Sequence, residues 1–321
     1  MSTPLPRAET ALLGTDQSGP TVTAIGGGAG LATTLEAVQT YAGQMSAVVT
    51  VADDGGSSGR LTAGMNIPPP GDLRKCLLAL APEPTMWSEL FAHRFDRSDV
   101  AGHSLGNLMI AALAEITGDL SSALRITEDL LHCRGSVYPA ALEPARLRGL
   151  IDGAPVSGQV AMARTPGEIS EIQIEPDELV ANPAAVHAIR DADQIVLSCG
   201  SLFTSLVAAM LVPGIARAIN EARGSLVLVL NLVTQREETL GFDGRDHVAA
   251  LAAFGGVTRP GTIVAHTGPL DVPDGLSPVS IGPEGFAGWT VVRGDVAEQG
   301  AEWPRHDPLA LGRMLGRIAG E

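Results

Sequence analysis

The sequence predicts an α/β fold in which a mostly parallel sheet carries helices on both faces, together with a small antiparallel β insertion. Two observations predict it. Short apolar runs rich in β-branched residues alternate with segments of helical periodicity, and four of these runs break into turns of Gly, Asp, Ser, Thr or Asn. Between Ser136 and about Glu175 the pattern changes to strand-like runs separated by Asp-Gly and Pro-Gly turns. A chain of 321 residues has room for an ample core. The expected organisation is a mobile tail over residues 1–19 and a single domain over 20–321, with the β insertion at about 136–175.

Taken in order, Thr21 to Ile25 is the first strand. Gly26, Gly27, Gly28 and Gly30 form a turn, and Leu31, Leu35 and Val38 then recur at helical spacing and give the next helix its buried face. Ser46 to Ala52 reads as the second strand and stops at Asp53 and Asp54. A second glycine-rich loop, through Ser57 and Arg60, runs to Pro68, Pro69, Pro70 and Gly71. Asp72 is placed to cap a helix whose buried face is Leu73, Cys76, Leu77 and Leu80. Arg74 and Lys75 stand in its first turn, where the helix dipole disfavours positive charge. They serve either a ligand or a salt bridge to Asp53 or Asp54.

Trp87 to Phe95 reads as a short helix. Leu105 to Ile116 is apolar on nearly every side and is expected to be buried, with His103, Ser104 and Asn107 at its amino end to cap it or meet an anion. Leu120 to Leu131 is a further helix. Arg146 to Ile151, Val156 to Arg164 and Glu168 to Glu175 are the runs of the insertion. Pro183 to Arg190 returns to helix, and Gln194 to Ser198 is a buried strand that enters a turn at Gly200, Ser201 and Thr204. Ser225 to Leu230 is a fourth core strand, followed by Asn231, Thr234, Gln235, Glu238 and Thr239, then by a helix opening at Asp246 and His247. Thr262 to His266 reads as the last core strand, and a helix covers Pro308 to Ile318.

Composition narrows the function. A net charge of −15 opposes wrapping of duplex nucleic acid and binding to anionic membranes. Cys76, Cys133 and Cys199 form no CxxC pair and suit a reducing compartment. The amino terminus is polar, and the longest apolar runs are too short or interrupted to span a bilayer. The expected location is the cytoplasm.

The glycine turn points to a phosphate-bearing ligand. Without Cβ atoms, backbone N–H groups can approach an anion, and the following helix adds its positive end. The spacing is not the dinucleotide fingerprint, because Leu31 stands where its third glycine belongs, and no P-loop lysine follows. Each turn has a capping explanation when taken alone: Ser201 and Asp246 as N-caps, His247 as a surface residue. Their convergence after four strands is what favours a ligand crevice at one edge of the sheet, with Gly27, Asp53, Ser201 and Thr234 facing it.

GGGAGL, VADDGGSSGRL, PPGDLRKCL, AGHSLGNL, GSLFTS and NLVTQREETLGFDGRDHV, in that order, resemble the motifs of the YvcK-type gluconeogenesis factor family, itself similar to the CofD-type 2-phospho-L-lactate transferases. The resemblance covers about Thr21 to His266. It implies a Rossmann-like fold, a UDP-sugar ligand such as UDP-N-acetylglucosamine, a role in cell-wall synthesis and cell shape during gluconeogenic growth, and a homodimer. Carried over by motif, the ligand residues are Gly27, Gly28, Asp53, Asp54, Ser57, Asp72, Arg74, Asn107, Ser201 and Thr204. The chain departs from the motifs at Ala29 (usually Thr), at Ser198, Cys199 and Phe203 (usually Gly, Pro and Tyr), and at Arg236 and Glu237 (usually Pro and Gly).

Two other readings compete. In a phosphotransferase like the 2-phospho-lactate branch, Asp53 and Asp54 could hold Mg²⁺ against a pyrophosphate. No catalytic residue follows from the sequence, and an NAD-type ligand stands beside the UDP-sugar as an alternative. In a hydrolase, Gly102 to Gly106 would be a GxSxG elbow with Ser104 as nucleophile and Asp246 and His266 following, but the polar run FDRSDV precedes it where a buried strand belongs.

Overall fold

The computed structural model describes residues 18–82, 84–282 and 286–320. Most of the expected amino-terminal tail, residues 1–17, lies outside the described residues. The strands are β1 Thr21–Gly26, β2 Gln44–Val49, β3 Ser136–Pro139, β4 Arg146–Ile151, β5 Ala154–Ser157, β6 Ile169–Glu175, β7 Gln194–Leu197, β8 Ser225–Val229, β9 Thr262–His266 and β10 Thr290–Gly294. Seven of them form one sheet in the order β10-β9-β8-β7-β1-β2-β3, and every pairing in it is parallel. With the insertion set aside, this is the doubly wound Rossmann-like order, whose switch point lies beside β1.

The strands alternate between two cores. In β8, Leu226 and Leu228 face one layer of side chains, while Val227 and Val229 face the other. This period of two is what a sheet covered on both faces requires. The helix Gly28–Val38 buries Leu31, Leu35 and Val38 completely, each contributing about 1.5–3 kcal/mol of transfer free energy. The helix Pro70–Leu80 buries Leu73, Cys76, Leu77 and Leu80 against the same layer.

Several boundaries differ from the sequence reading. β2 ends at Val49, so Thr50, Val51 and Ala52 belong to the loop that leads to Asp53. The glycine-rich loop after Asp54 is largely helix, Gly56–Met65; its low intrinsic propensity is offset by the hydrogen bonds of buried Ser57 to His103 and Asn107, and only glycine fits at Gly59 beside the Asp54 carbonyl. Asp72 is not a cap, because the helix already begins at Pro70. β3 pairs with β2 and so belongs to the main sheet, leaving β4, β5 and β6 as the antiparallel insertion. Within the insertion, Gln159–Met162 is a helical turn. β10 lies beyond β9 as the true edge of the main sheet.

The helix Leu105–Thr117 buries only one face, and Ile116 is 80% exposed. Asp243, not Asp246, caps the helix Gly244–Ala253; Asp246 completes the capping box. His247 is buried, not superficial, with Nδ1 against the Asp243 carbonyl. Among the described residues no single helix is long and apolar enough to cross a membrane.

Candidate functional site

The carboxyl ends of β1, β2, β7 and β8 lead directly to Gly27, Asp53, Ser201 and Thr234, so all four stand at one edge of the sheet. The glycines of the first turn have separate tasks. A Cβ on Gly30 would lie 1.9 Å from the Cys199 carbonyl oxygen, so this residue lets the helix press against the turn after β7. Gly28 has φ +64° and open space where a Cβ would be.

The first N–H groups of a helix have no intrahelical acceptor. Here Leu31 N–H is the first to close a turn, onto the Gly27 carbonyl. Gly28 N–H is taken by the Asp72 carboxylate at 2.7 Å, whose other oxygen holds Lys75. The amides of Ala29 and Gly30 are the ones left for a ligand, and both residues line a cavity of about 590 Å³. That volume suits a ligand of nucleotide size. The cavity continues past Thr33, Cys199, Gly200 and Asn231 to Thr234 and Arg236, and is closed by Trp303 and His306. Burial pushes the Cys199 thiol up to about 11, so it contributes a neutral lining.

The wall from Asn231 to Glu238 is pinned in place. The Asn231 side chain accepts from Gly200 N–H and donates to the Gly200 carbonyl, both at 2.7 Å. The buried Glu238 carboxylate accepts from Ser201 Oγ, from Thr204 Oγ1 and from the Phe203 N–H. It therefore holds the start of the π-helix Leu202–Val207, a rare conformation that recurs at functional sites. Ser201 is the N-cap that the sequence suggests, since its hydroxyl also accepts from Thr204 N–H.

The other expected ligand residues gather beside the glycine turn, on the β2 side. Asn107 accepts from Arg74 Nε at 2.9 Å and donates to Ser57 Oγ at 3.2 Å, and Ser57 reaches His103 Nδ1 at 3.0 Å. Partial burial and the charges of Arg60 and Arg94 lower the His103 pKa, which suits a ring nitrogen that accepts. Arg74 is buried and forms no pair with Asp53 or Asp54; its second contact is the Phe91 carbonyl. Asp54 accepts from Val160 N–H and so anchors the insertion. Burial, and then the Asp72 charge, raise the Asp53 pKa. A carboxylate such as Asp53 suits Mg²⁺, which takes one or two carboxylates and completes its shell with phosphate and water. Among the described residues no three metal-binding side chains come together.

None of the ten residues carried over by motif lines the cavity itself: Ser57, Arg74 and Asn107 are joined in this cluster, Gly28 is bonded to Asp72, Asp53 accepts from Gly55 N–H and Asp54 from Val160 N–H, and Ser201 and Thr204 stand against Glu238. The cavity is lined instead by Ala29, Cys199, Arg236 and Glu237, four of the positions at which the chain departs from the motifs. Sequence reasoning did not find Trp303 to His306, because that Gly- and Pro-rich stretch has no periodicity to place it. The elbow reading fails on geometry: Ser104 is fully buried, and its hydroxyl donates to the Phe91 carbonyl.

Comparison with known proteins gives a consistent set of matches. The family described as 2-phospho-L-lactate transferase CofD matches residues 22–276. A protein of Nostoc sp. is 44% identical over 237 residues, covering 73% of this chain and 52% of its own length. The Bacillus subtilis protein named gluconeogenesis factor is 36% identical over 309 residues, covering 92% of this chain and 97% of its own. The chain thus spans about half the length of the first relative and nearly all of the second. A crystal structure of a Bacillus halodurans protein superposes with a TM-score of 0.88 at 33% identity, covering 95% of this chain and all of that one.

Proposed function

The chain belongs to the 2-phospho-L-lactate transferase CofD family, and on that premise we propose that its crevice binds a nucleotide sugar of the UDP-N-acetylglucosamine type. The protein acts in this reading as a regulator, a gluconeogenesis factor of the cytoplasm needed for cell-wall synthesis and cell shape on gluconeogenic carbon. The observation that carries the reading is the pair of open amides, Ala29 and Gly30, at a nucleotide-sized cavity beside the switch point of the sheet. The Asp72 carboxylate on Gly28 N–H leaves the diphosphate those two amides.

A thermal-shift panel of UDP-sugars, NAD and GTP, with and without Mg²⁺, tests it. The bound ligand at one hundred times its Kd is expected to stabilise the fold by about 2.7 kcal/mol. A panel in which no nucleotide moves the melting temperature would rule the reading out.

One observation favours a second reading, a Mg²⁺-dependent phosphotransferase. The Asp72 carboxylate lies against Gly27 of the glycine turn and the Asp53 carboxylate against Gly71, and burial first, then the Asp72 charge, raise the Asp53 pKa. A divalent cation held there would relieve that repulsion and supply charge neutralisation to a transferred phosphoryl group. Deazaflavin-acceptor turnover that requires Mg²⁺ distinguishes it from the regulatory reading.

The reading also includes a homodimer. The helices Met86–Ala92, Leu105–Thr117 and Leu120–Leu131 leave an apolar groove lined by Trp87, Met109, Leu113, Ile116, Ile126 and Leu130. Ile116 and Ile126 are 80% and 43% exposed, a contiguous apolar surface of the kind that marks an interface. Light scattering at micromolar concentration is expected to give a dimer mass, and Ile116→Glu to give a folded monomer with an unchanged circular dichroism spectrum and a lower melting temperature. A monomeric wild-type chain would contradict this.

A further inference from the structure

The family match ends at residue 276, yet the cavity does not. Its far lining is Trp303, Pro304, Arg305 and His306, from a hairpin that follows β10. The hairpin is tied at its root. Ala297 and His306 form an antiparallel bridge, Glu298 N–H donates to the Arg305 carbonyl at 2.9 Å, and Asp307 N–H donates to the Val296 carbonyl at 2.9 Å. Arg305 Nη2 donates to Glu298 at 2.6 Å, so its charge is neutralised within the hairpin. His306 is buried beneath; burial and the neighbouring His266 push its pKa down to about 4, which keeps the ring neutral.

On this fixed support Trp303 is 58% exposed, whereas Trp289 of the edge strand's approach is 6% exposed. A pinned hairpin that holds a large indole half in water against a cavity has the form of a stacking surface. The hairpin also faces the glycine-turn helix, because Ala29, Gly30 and Thr33 line the same cavity as Trp303 to His306. Phosphate at the open amides of Ala29 and Gly30 would place an attached ring system toward the hairpin.

We propose that Trp303 is the stacking platform for the planar base of the nucleotide, and that the hairpin over residues 297–306 is the specificity element that reads the ring end of the ligand. This rests on the nucleotide reading above and adds to it the position of the base. The flanking Pro304, Pro273 and Leu276 supply an apolar surround, as a heteroaromatic ring requires.

The test is calorimetric and fluorescence titration of UDP, GDP and ADP into the wild-type chain and the Trp303→Phe and Trp303→Ala variants, with pyrophosphate as a ligand lacking a ring. Trp303 is exposed, so both variants are expected to fold, and melting curves check this. The proposal expects the bound nucleotide to quench tryptophan emission in the wild type and not in Trp303→Phe. It expects Trp303→Ala to weaken nucleotide binding about tenfold or more, Trp303→Phe to weaken it only a few-fold, and pyrophosphate affinity to be the same in all three. Nucleotide binding of equal strength in wild type and Trp303→Ala would overturn the stacking proposal and leave the nucleotide reading intact. Failure of all three nucleotides to bind the wild type would overturn both.

Discussion

Gly30→Ala is expected to destabilise the fold by about 3 kcal/mol, at the upper end of what overpacking costs. The added methyl would stand 1.9 Å from the Cys199 carbonyl oxygen and 2.9 Å from Gly200 Cα. Both obstacles are backbone, so no side chain can rotate away, and relief requires the helix Gly28–Val38 to lift from the turn after β7. That movement would also open the buried packing of Leu31 and Leu35. Gly28→Ala provides the contrast: its methyl meets nothing within 4 Å, and its cost is the left-handed backbone conformation alone, about 1–2 kcal/mol. Urea denaturation midpoints of the two variants decide the matter. A Gly30→Ala protein as stable as the wild type, or less affected than Gly28→Ala, would show that the close approach is not required.

Arg74→Ala is expected to cost about 3 kcal/mol of stability, since a buried hydrogen bond to a charged group contributes roughly 1.5–3 kcal/mol and its loss strands the Asn107 oxygen. The guanidinium joins three helices: its own, Pro70–Leu80; Leu105–Thr117 through Asn107; and Met86–Ala92 through the Phe91 carbonyl. Arg74→Lys keeps a charge but lacks the directed Nε–H, so it is expected to recover only part of the loss. Arg74 stands behind the glycine turn and not on the cavity wall. The measured loss should therefore appear in the unfolding midpoint before it appears in ligand affinity. A folded Arg74→Ala protein of wild-type stability with weakened UDP-N-acetylglucosamine binding would assign the side chain to the phosphates instead.

What could be read from the sequence follows from where local pattern and tertiary context agree. Thr21 to Val38 was legible because an apolar run, a glycine cluster and a helical period occur in succession, and each has one structural outcome. The helix Gly56–Met65 was not, because Gly and Ser carry little helix propensity and its support comes from the tertiary hydrogen bonds of Ser57 to His103 and Asn107. β3 and β10 are short edge strands whose sequences resemble any half-buried run, and only their pairing with β2 and β9 identifies them. The helix Leu105–Thr117 is apolar all round, which suggested a buried helix; its outer face instead lines the groove beside Ile126. At the site, the polar residues were legible by type, but hydrogen-bond assignment was not. Nothing in the order of residues says that Asp72 accepts from Gly28 or that Glu238 accepts from Ser201.

The seam between β1 and β7 has a consequence for how the chain assembles. Thr21 N–H bonds to an Asp193 carboxylate 172 residues away, and the Gln194 amide bonds to the Leu315 carbonyl 121 residues away. Contacts of such sequence separation form slowly, because the loop between them must close before any bond repays the lost chain entropy. The cavity straddles this seam, with Gly30 on one side and Cys199 and Gly200 on the other. A ligand held across it meets its site only after the long loop has closed. It therefore acts as a brake on unfolding and not as a template for folding.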